Sequence, residues 1–224
     1  MKRTCLVVSL WVLTSVLLWA DQLLEQEFAG TDRKAAKTSI ANAQTETYKL
    51  NDLIVELHQT ENKMLSKNIP EDAASDRVQE EKRNVRVRAW LHAFEHQKDN
   101  DYHLILGTQR DLLSTGPFDT KFLTAEITGL PTLPHNDQTW IQLHSARSQL
   151  LSMFPGGKPA SGTYTHTSYY ILKKPTYVEI EGSLFFDVDH PAGAIGPKPR
   201  RPQTAWEIHP VTSIKKVLHP SGGL

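Results

Sequence analysis

The chain has 224 residues, 39% hydrophobic and 22% charged, with 25 basic and 25 acidic side chains that balance to a formal charge of zero. That length supplies one ordinary hydrophobic core, and the neutral balance excludes a chain built mainly to coat nucleic acid, which is as a rule strongly basic. The single cysteine, Cys5, excludes a disulfide framework and a cysteine zinc site.

The N-terminus reads Met1-Lys2-Arg3, followed by an apolar run from Thr4 to Ala20. A basic start and a short apolar core are the features of a secretory signal, so residues 1–20 are expected to be removed after Ala20, before the polar Asp21. Leu18 occupies a position where cleavage favours a small residue. The alternative is therefore an uncleaved segment that tethers the protein to a membrane. Cleavage predicts a secreted or periplasmic chain with no membrane span, no cysteine and a net charge of −2.

Residues 21–84 are polar and read as a partly mobile helical N-terminal arm. Its helix is predicted over Thr47–Leu65, where Leu50, Leu53, Ile54, Leu57, Met64 and Leu65 share one face. Pro70 and the charged run to Asn84 end it.

The main domain is predicted over residues 85–218, with a tail at 219–224. Val85, Val87, Ala89, Leu91 and Ala93 alternate with Arg86, Arg88, Trp90, His92 and Phe94, a strand pattern. The polar turn at residues 97–100 leads to a second strand, Asp101–Gly107. A loop with Gly116-Pro117 precedes a third, Lys121–Thr128. Asp137 is a helix cap, and the helix runs to about Phe154, with Trp140, Ile141, His144, Leu150, Leu151 and Phe154 on its apolar side. Gly156-Gly157 stops it. A fourth strand is predicted at Thr176–Val188. The loop Asp189–Gln203, rich in proline, glycine and basic residues, leads to a last strand at about Thr204–Val217. Pro210 is expected at an edge or bulge of that strand.

The order strand, strand, strand, helix, strand, strand predicts a mainly β fold with α. It is that of the five-stranded Greek-key barrel called the OB fold, here preceded by the helical arm.

Three segments carry a family resemblance: Asp101–Leu104 with its strand (DYHLIL), Val178–Asp187 (VEIEGSLFFD) and Trp206–Ile214 (WEIHPVTSI). They resemble a widespread family of uncharacterised, often exported bacterial proteins, in which the segments run as DYHLVL, VxGxxFFD and ExHPV in the same order. The resemblance covers about half the chain and implies a small β-barrel without an agreed activity.

Candidate chemistry gathers on the same segments. Asp101 and His103 lie two apart on one strand and share a face, as do Glu207 and His209 on the last. Asp187, Asp189 and His190 sit where the fourth strand enters the final loop. In an OB barrel the first and last hairpin loops flank one ligand face. Imidazoles and carboxylates brought together there suit a divalent metal such as zinc or manganese, or make a histidine a general base. Arg200 and Arg201, with Lys198, are candidates to engage phosphate. Trp90 and Phe94, beside Arg86 and Arg88, are a candidate ligand platform, and the run Tyr164, His166, Tyr169, Tyr170 a candidate stacking surface.

Against these stand ordinary structural uses. An Asp-x-His pair ties down a hairpin, and Glu207 is available to pair with Arg86 or Arg88. Neither D-x-H nor E-x-H is a metal signature like H-E-x-x-H. The leading expectation is an exported binding module for an oligonucleotide, an oligosaccharide or an envelope protein, with its site between the first and last hairpin loops. The alternative is a metal-dependent hydrolase, a nuclease or phosphoesterase, using Asp101, His103, Glu207 and His209.

Overall fold

The structure is a computed structural model that describes residues 22–112, 119–158, 162–164 and 168–220. The expected signal segment, Cys5, the Gly116-Pro117 loop, His166 and the end of the C-terminal tail lie outside the described residues. Among the described residues no helix is long and apolar enough to cross a membrane.

The chain forms a mixed α/β structure. A short helix α1 (Lys34–Lys37) precedes strand β1 (Thr45–Lys49) and helix α2 (Leu50–Leu65). Strands β2 (Asn84–His96), β3 (Tyr102–Gly107) and β4 (Phe122–Ile127) follow, then helix α3 (Gln138–Met153), β5 (Gly162–Tyr164), β6 (Tyr170–Phe186) and β7 (Trp206–Lys216). Among the described residues the sheet has seven strands in the order β1-β2-β3-β4-β7-β6-β5, and β6 also pairs with β2. Pairings therefore run from β2 through β3, β4, β7 and β6 back to β2. The β1–β2 and β4–β7 pairs are parallel and the others antiparallel.

Two of the seven strands carry little sequence signal. β1 (TETYK) has one apolar side chain and lies mostly exposed on the edge of β2. β5 has only three residues. Both form because a neighbouring long strand offers an unpaired edge, which is a property of the assembled sheet.

In β2, Val85, Val87, Ala89 and Leu91 point into the core. The alternation then breaks, because a register shift lies between Leu91 and Ala93 against both β3 and β6. Such a bulge swaps the two faces of a strand. Phe94 thereby joins the core and packs against the tilted ring of Phe154, so it does not share the face of Arg86 and Arg88. The same bulge turns Glu95 toward a cleft described below.

The segment expected to be an accessory arm is packed into this core. Leu50, Leu53, Ile54, Leu57 and Met64 of α2 are buried, and each such side chain contributes about 1.5–3 kcal/mol. Leu65, placed on that face by the sequence pattern, is instead 53% exposed. Glu61 takes a place on the buried stripe, where its carboxylate accepts the Ala205 amide at 2.9 Å.

α3 starts where expected. The Asp137 carboxylate accepts the Thr139 amide at 2.8 Å, satisfying a free N–H of the first turn. Its buried side is Trp140, Leu143, Ala146, Arg147 and Leu150, while Ile141 faces solvent. Arg147 is fully buried and donates to the carbonyls of Leu23, Leu24, Asn100 and Thr128. Arg77 binds in the same way to the carbonyls of Leu184, Ala36, Ser39 and His209. These two guanidiniums join the N-terminal segment to the sheet through backbone groups.

Pro210 falls where β7 shifts register against β6. Gly182 lies opposite, and a Cβ there would run into the Pro210 carbonyl and the Ile208 side chain. Gly182→Ala is thus expected to destabilise the fold by about 1–3 kcal/mol, the usual cost of overpacking. Urea denaturation of the variant checks this.

Candidate functional site

Cross-strand register builds the site. His103 on β3 stands opposite Glu126 on β4. The parallel β4–β7 pairing aligns Thr124 with Glu207 and so brings Glu207 and His209 alongside Glu126. The His103 Nε2 lies 2.8 Å from Glu126 Oε1. Glu126 Oε2 lies 2.9 Å from His209 Nδ1, which is also 3.0 Å from Glu207 Oε1. His209 Nε2 faces Asp101 Oδ2 at 3.5 Å. The other Asp101 oxygen accepts the Gly129 amide at 2.7 Å.

All four residues expected to form the cluster therefore converge, and Glu126 joins them as the residue that links His103 to His209. Glu126 is buried in KFLTAEIT, where an acid on an otherwise apolar strand was the available signal. Glu207 does not pair with an arginine of β2. Arg86 and Arg88 stand in register with Glu181 and Glu179 and pair with those instead.

A cleft of about 360 Å³ opens beside the cluster. Its wall includes His103, Glu126, Tyr169, Asp187, His190 and Lys37. The first hairpin loop contributes Gln97 and Asp99, and the last loop contributes residues 194–196 and Arg201. At the mouth, His190 Nδ1 sits 2.6 Å from Asp187 Oδ2, with the imidazole 47% exposed. Deeper in, the Tyr169 hydroxyl approaches His103 Nδ1 at 3.4 Å. Asp101, Glu207 and His209 lie behind this wall, fully buried.

The other expected ligand residues divide. Arg201 lines the cleft and is braced on the Gly193 carbonyl at 2.9 Å. Arg200 is not part of the lining, and its charge acts on His92. Asp189 does not line it either; its amide supports Asp187 at 3.0 Å. Trp90 lies elsewhere, packed on Tyr177 and His219, because β2 directs it outward. Lys37 and Tyr169 carry no spacing that connects them to the cluster in sequence.

The electrostatics follow from four acids sharing one buried region. Burial, reinforced by Asp99 and Glu126, pushes the Asp101 carboxyl well above the usual range. Burial does the same to Glu207, aided by Glu126 and Asp187. Burial also opposes charge on Glu126, but His103 and His209 outweigh it and hold that carboxyl well below the usual range. Burial works against a charged His103 ring, yet the Glu126 carboxylate prevails and raises it to about 9. For His209 burial wins and the ring is pushed down. Lys37 is raised despite burial because Glu126, Glu207, Asp187 and Asp101 surround it. Among these acids Glu126 is favoured as the charged form and Asp101 and Glu207 as the neutral forms, and His103 and Lys37 are favoured as cations beside Glu126.

At the mouth, the hydrogen bond that His190 donates to the Asp187 carboxylate raises its imidazole above the ordinary 6.5. Burial of Asp187 is outweighed by the His190 hydrogen bond and charge, so its carboxyl is lowered below 3.8. A raised imidazole stabilises the fold fully below 6.5, and that contribution is lost as pH rises through its folded value. A lowered carboxyl stabilises above 3.8, and its contribution is lost as pH falls through its folded value. The pair is thus expected to support the fold most between these two ranges. In His190→Ala the fall in melting temperature just above pH 6.5 should flatten, which a series of thermal melts across pH reads directly. Glu126 and His103, whose charges also reach His190, remain in that variant.

Chemically the cleft offers two histidines each held by a carboxylate, with cations beside them. No family model, curated protein or solved structure matches this chain.

Proposed function

We propose that the chain is an exported hydrolase of phosphate esters, a nuclease or phosphoesterase, working by acid–base chemistry on an OB-like five-stranded Greek-key barrel. The observation that carries this reading is that His103–Glu126 and Asp187–His190, two carboxylate-held imidazoles, face one cleft. A binding module does not need its acids and histidines to converge, whereas a hydrolase does. His190, at the mouth and reachable by water, takes the proton from the attacking water. His103, deeper and braced by Glu126, gives a proton to the leaving oxygen. Lys37 and Arg201 stand on the cleft wall to meet the phosphate charge.

The barrel reading is supported by the pairing order that returns to β2, the parallel β4–β7 pair and the position of α3 between β4 and β6. Membership of the exported bacterial family is supported by its three motifs, which supply Asp101, His103, Asp187, Glu207 and His209, all in or behind the cleft. Export, to the periplasm or outside the cell, is supported by the basic start and apolar run of residues 1–20.

The test is turnover of bis(p-nitrophenyl) phosphate and of a short single-stranded oligonucleotide by the purified chain. Turnover that falls in both His103→Ala and His190→Ala, with the fold retained, supports the proposal. Oligonucleotide or oligosaccharide binding without turnover in the wild type overturns it in favour of a binding module.

A further inference from the structure

Behind the cleft wall, two polar atoms have no hydrogen-bond partner among the described residues: Asp101 Oδ2 and His209 Nε2. Their side chains are 1% and 0% exposed. A buried group left unsatisfied in this way is costly, and its presence calls for an unseen partner. The two atoms face each other at 3.5 Å. That separation is too long for a hydrogen bond, whose range ends near about 3.2 Å. It suits two ligands of one metal ion. With metal–ligand bonds of about 2.1 Å, donors this far apart subtend roughly 113° at the metal, near the tetrahedral angle.

The surrounding groups point the same way. His209 Nδ1 lies between Glu126 and Glu207, both acceptors at 2.9–3.0 Å. It therefore carries the ring proton, which leaves a lone pair on Nε2, directed at Asp101. A ligating histidine characteristically donates its other N–H to a carboxylate. One ligand atom from each of Asp101, Glu126 and His209 lies within 4.8 Å of the other two, and Glu126, which accepts the Nδ1–H on the far side of the ring from Nε2, serves beside Glu207 as an outer carboxylate. Glu126 also lines the cleft, so it stands between the buried pair and the route from solvent.

We infer that Asp101 Oδ2 and His209 Nε2 ligate a single divalent transition-metal ion, zinc or manganese, in a buried site completed by water, with Glu126 and Glu207 holding the His209 ring as outer carboxylates. Mixed nitrogen and oxygen donors suit both metals. The site shares Glu126 with the proposed His103–Glu126 pair, but its metal ligands lie outside that pair and it does not require that the cleft be catalytic.

The experiment is metal analysis of the purified, untagged chain after incubation with zinc or manganese and removal of free metal. It is paired with thermal melts and run on the wild type, Asp101→Asn, His209→Gln, Glu207→Gln and His103→Ala. The expected result is about one metal per chain and a raised melting temperature in the wild type and in His103→Ala. Asp101→Asn and His209→Gln should lose the bound metal. Glu207→Gln should weaken it by about ten- to a hundredfold, as outer-carboxylate changes do. Should Asp101→Asn or His209→Gln fail to fold, cobalt(II) titration of the wild type reads the same site through its visible absorption bands. A folded wild type without bound metal or melting shift overturns the inference, and so does metal bound equally by Asp101→Asn and His209→Gln. Metal content is read independently of turnover, so a chain that binds metal but hydrolyses nothing overturns only the proposed function.

Discussion

Glu81→Ala is expected to destabilise the protein by about 3–5 kcal/mol, the cost of removing one partner from a buried ion pair. Glu81 and Arg33 are 0% and 2% exposed. The two terminal guanidinium nitrogens of Arg33 each donate to one Glu81 carboxylate oxygen at 2.7 Å. The same carboxylate accepts the amides of Phe186 at 3.0 Å and Val78 at 2.9 Å. Arg33 also lies over the Phe185 ring at 4.6 Å. Alanine at position 81 would leave a buried cation without its counter-charge and two amides without acceptors. Those amides belong to the end of β6 and to the turn before β2, so the loss also loosens the N-terminal segment from the sheet.

Equilibrium urea denaturation measures the effect as a lower midpoint at an unchanged slope. The double variant Arg33→Met with Glu81→Ala is expected to lose less than the two single variants together, because no lone charge stays buried. A loss below about 1 kcal/mol in Glu81→Ala would mean that Arg33 finds a substitute partner, such as the Asp76 carbonyl that it already approaches at 3.1 Å.

His190→Ala is expected to lower turnover of a phosphodiester by about 10²–10⁴-fold, the usual contribution of one positioned acid or base. The melting temperature near neutral pH should move little, since the imidazole is half exposed and its main partner, Asp187, keeps the Asp189 amide. This separation of rate from stability distinguishes a catalytic group from a structural one. His103→Ala should lose rate similarly but also stability, because Glu126 is buried and would lose one of its two imidazole partners. Unchanged turnover in His190→Ala would reduce the Asp187–His190 pair to a loop anchor.

Much of the fold is legible in local pattern. The valines of β2, the Asp137 cap and the glycine stop after α3 each act over a few residues, and the structure places those elements close to where the sequence puts them. The bulge in β2 was not legible, because apolar residues continue through Leu91, Ala93 and Phe94 whichever face they take. The burial of α2 was only half legible. Its apolar stripe is plain, but Leu65 and Glu61 exchange roles because the Ala205 amide, far along the chain, needs an acceptor.

The site divides along the same line. Two-residue spacing places Asp101 with His103 and Glu207 with His209, since alternate side chains of a strand share a face. Topological reasoning brings the first and last hairpin loops together. The sequence by itself therefore determined the principal strands, the two long helices, the spacing of the acid–histidine pairs and the absence of cysteine chemistry after Cys5. Tertiary structure alone decided that Glu126 joins the pairs, that Lys37 reaches the cluster, that Arg201 rather than Arg200 lines the cleft, and that β1 and β5 exist. The physical reason is that these depend on cross-strand register and loop closure. Both are set by contacts between residues distant in the chain, which local periodicity cannot encode.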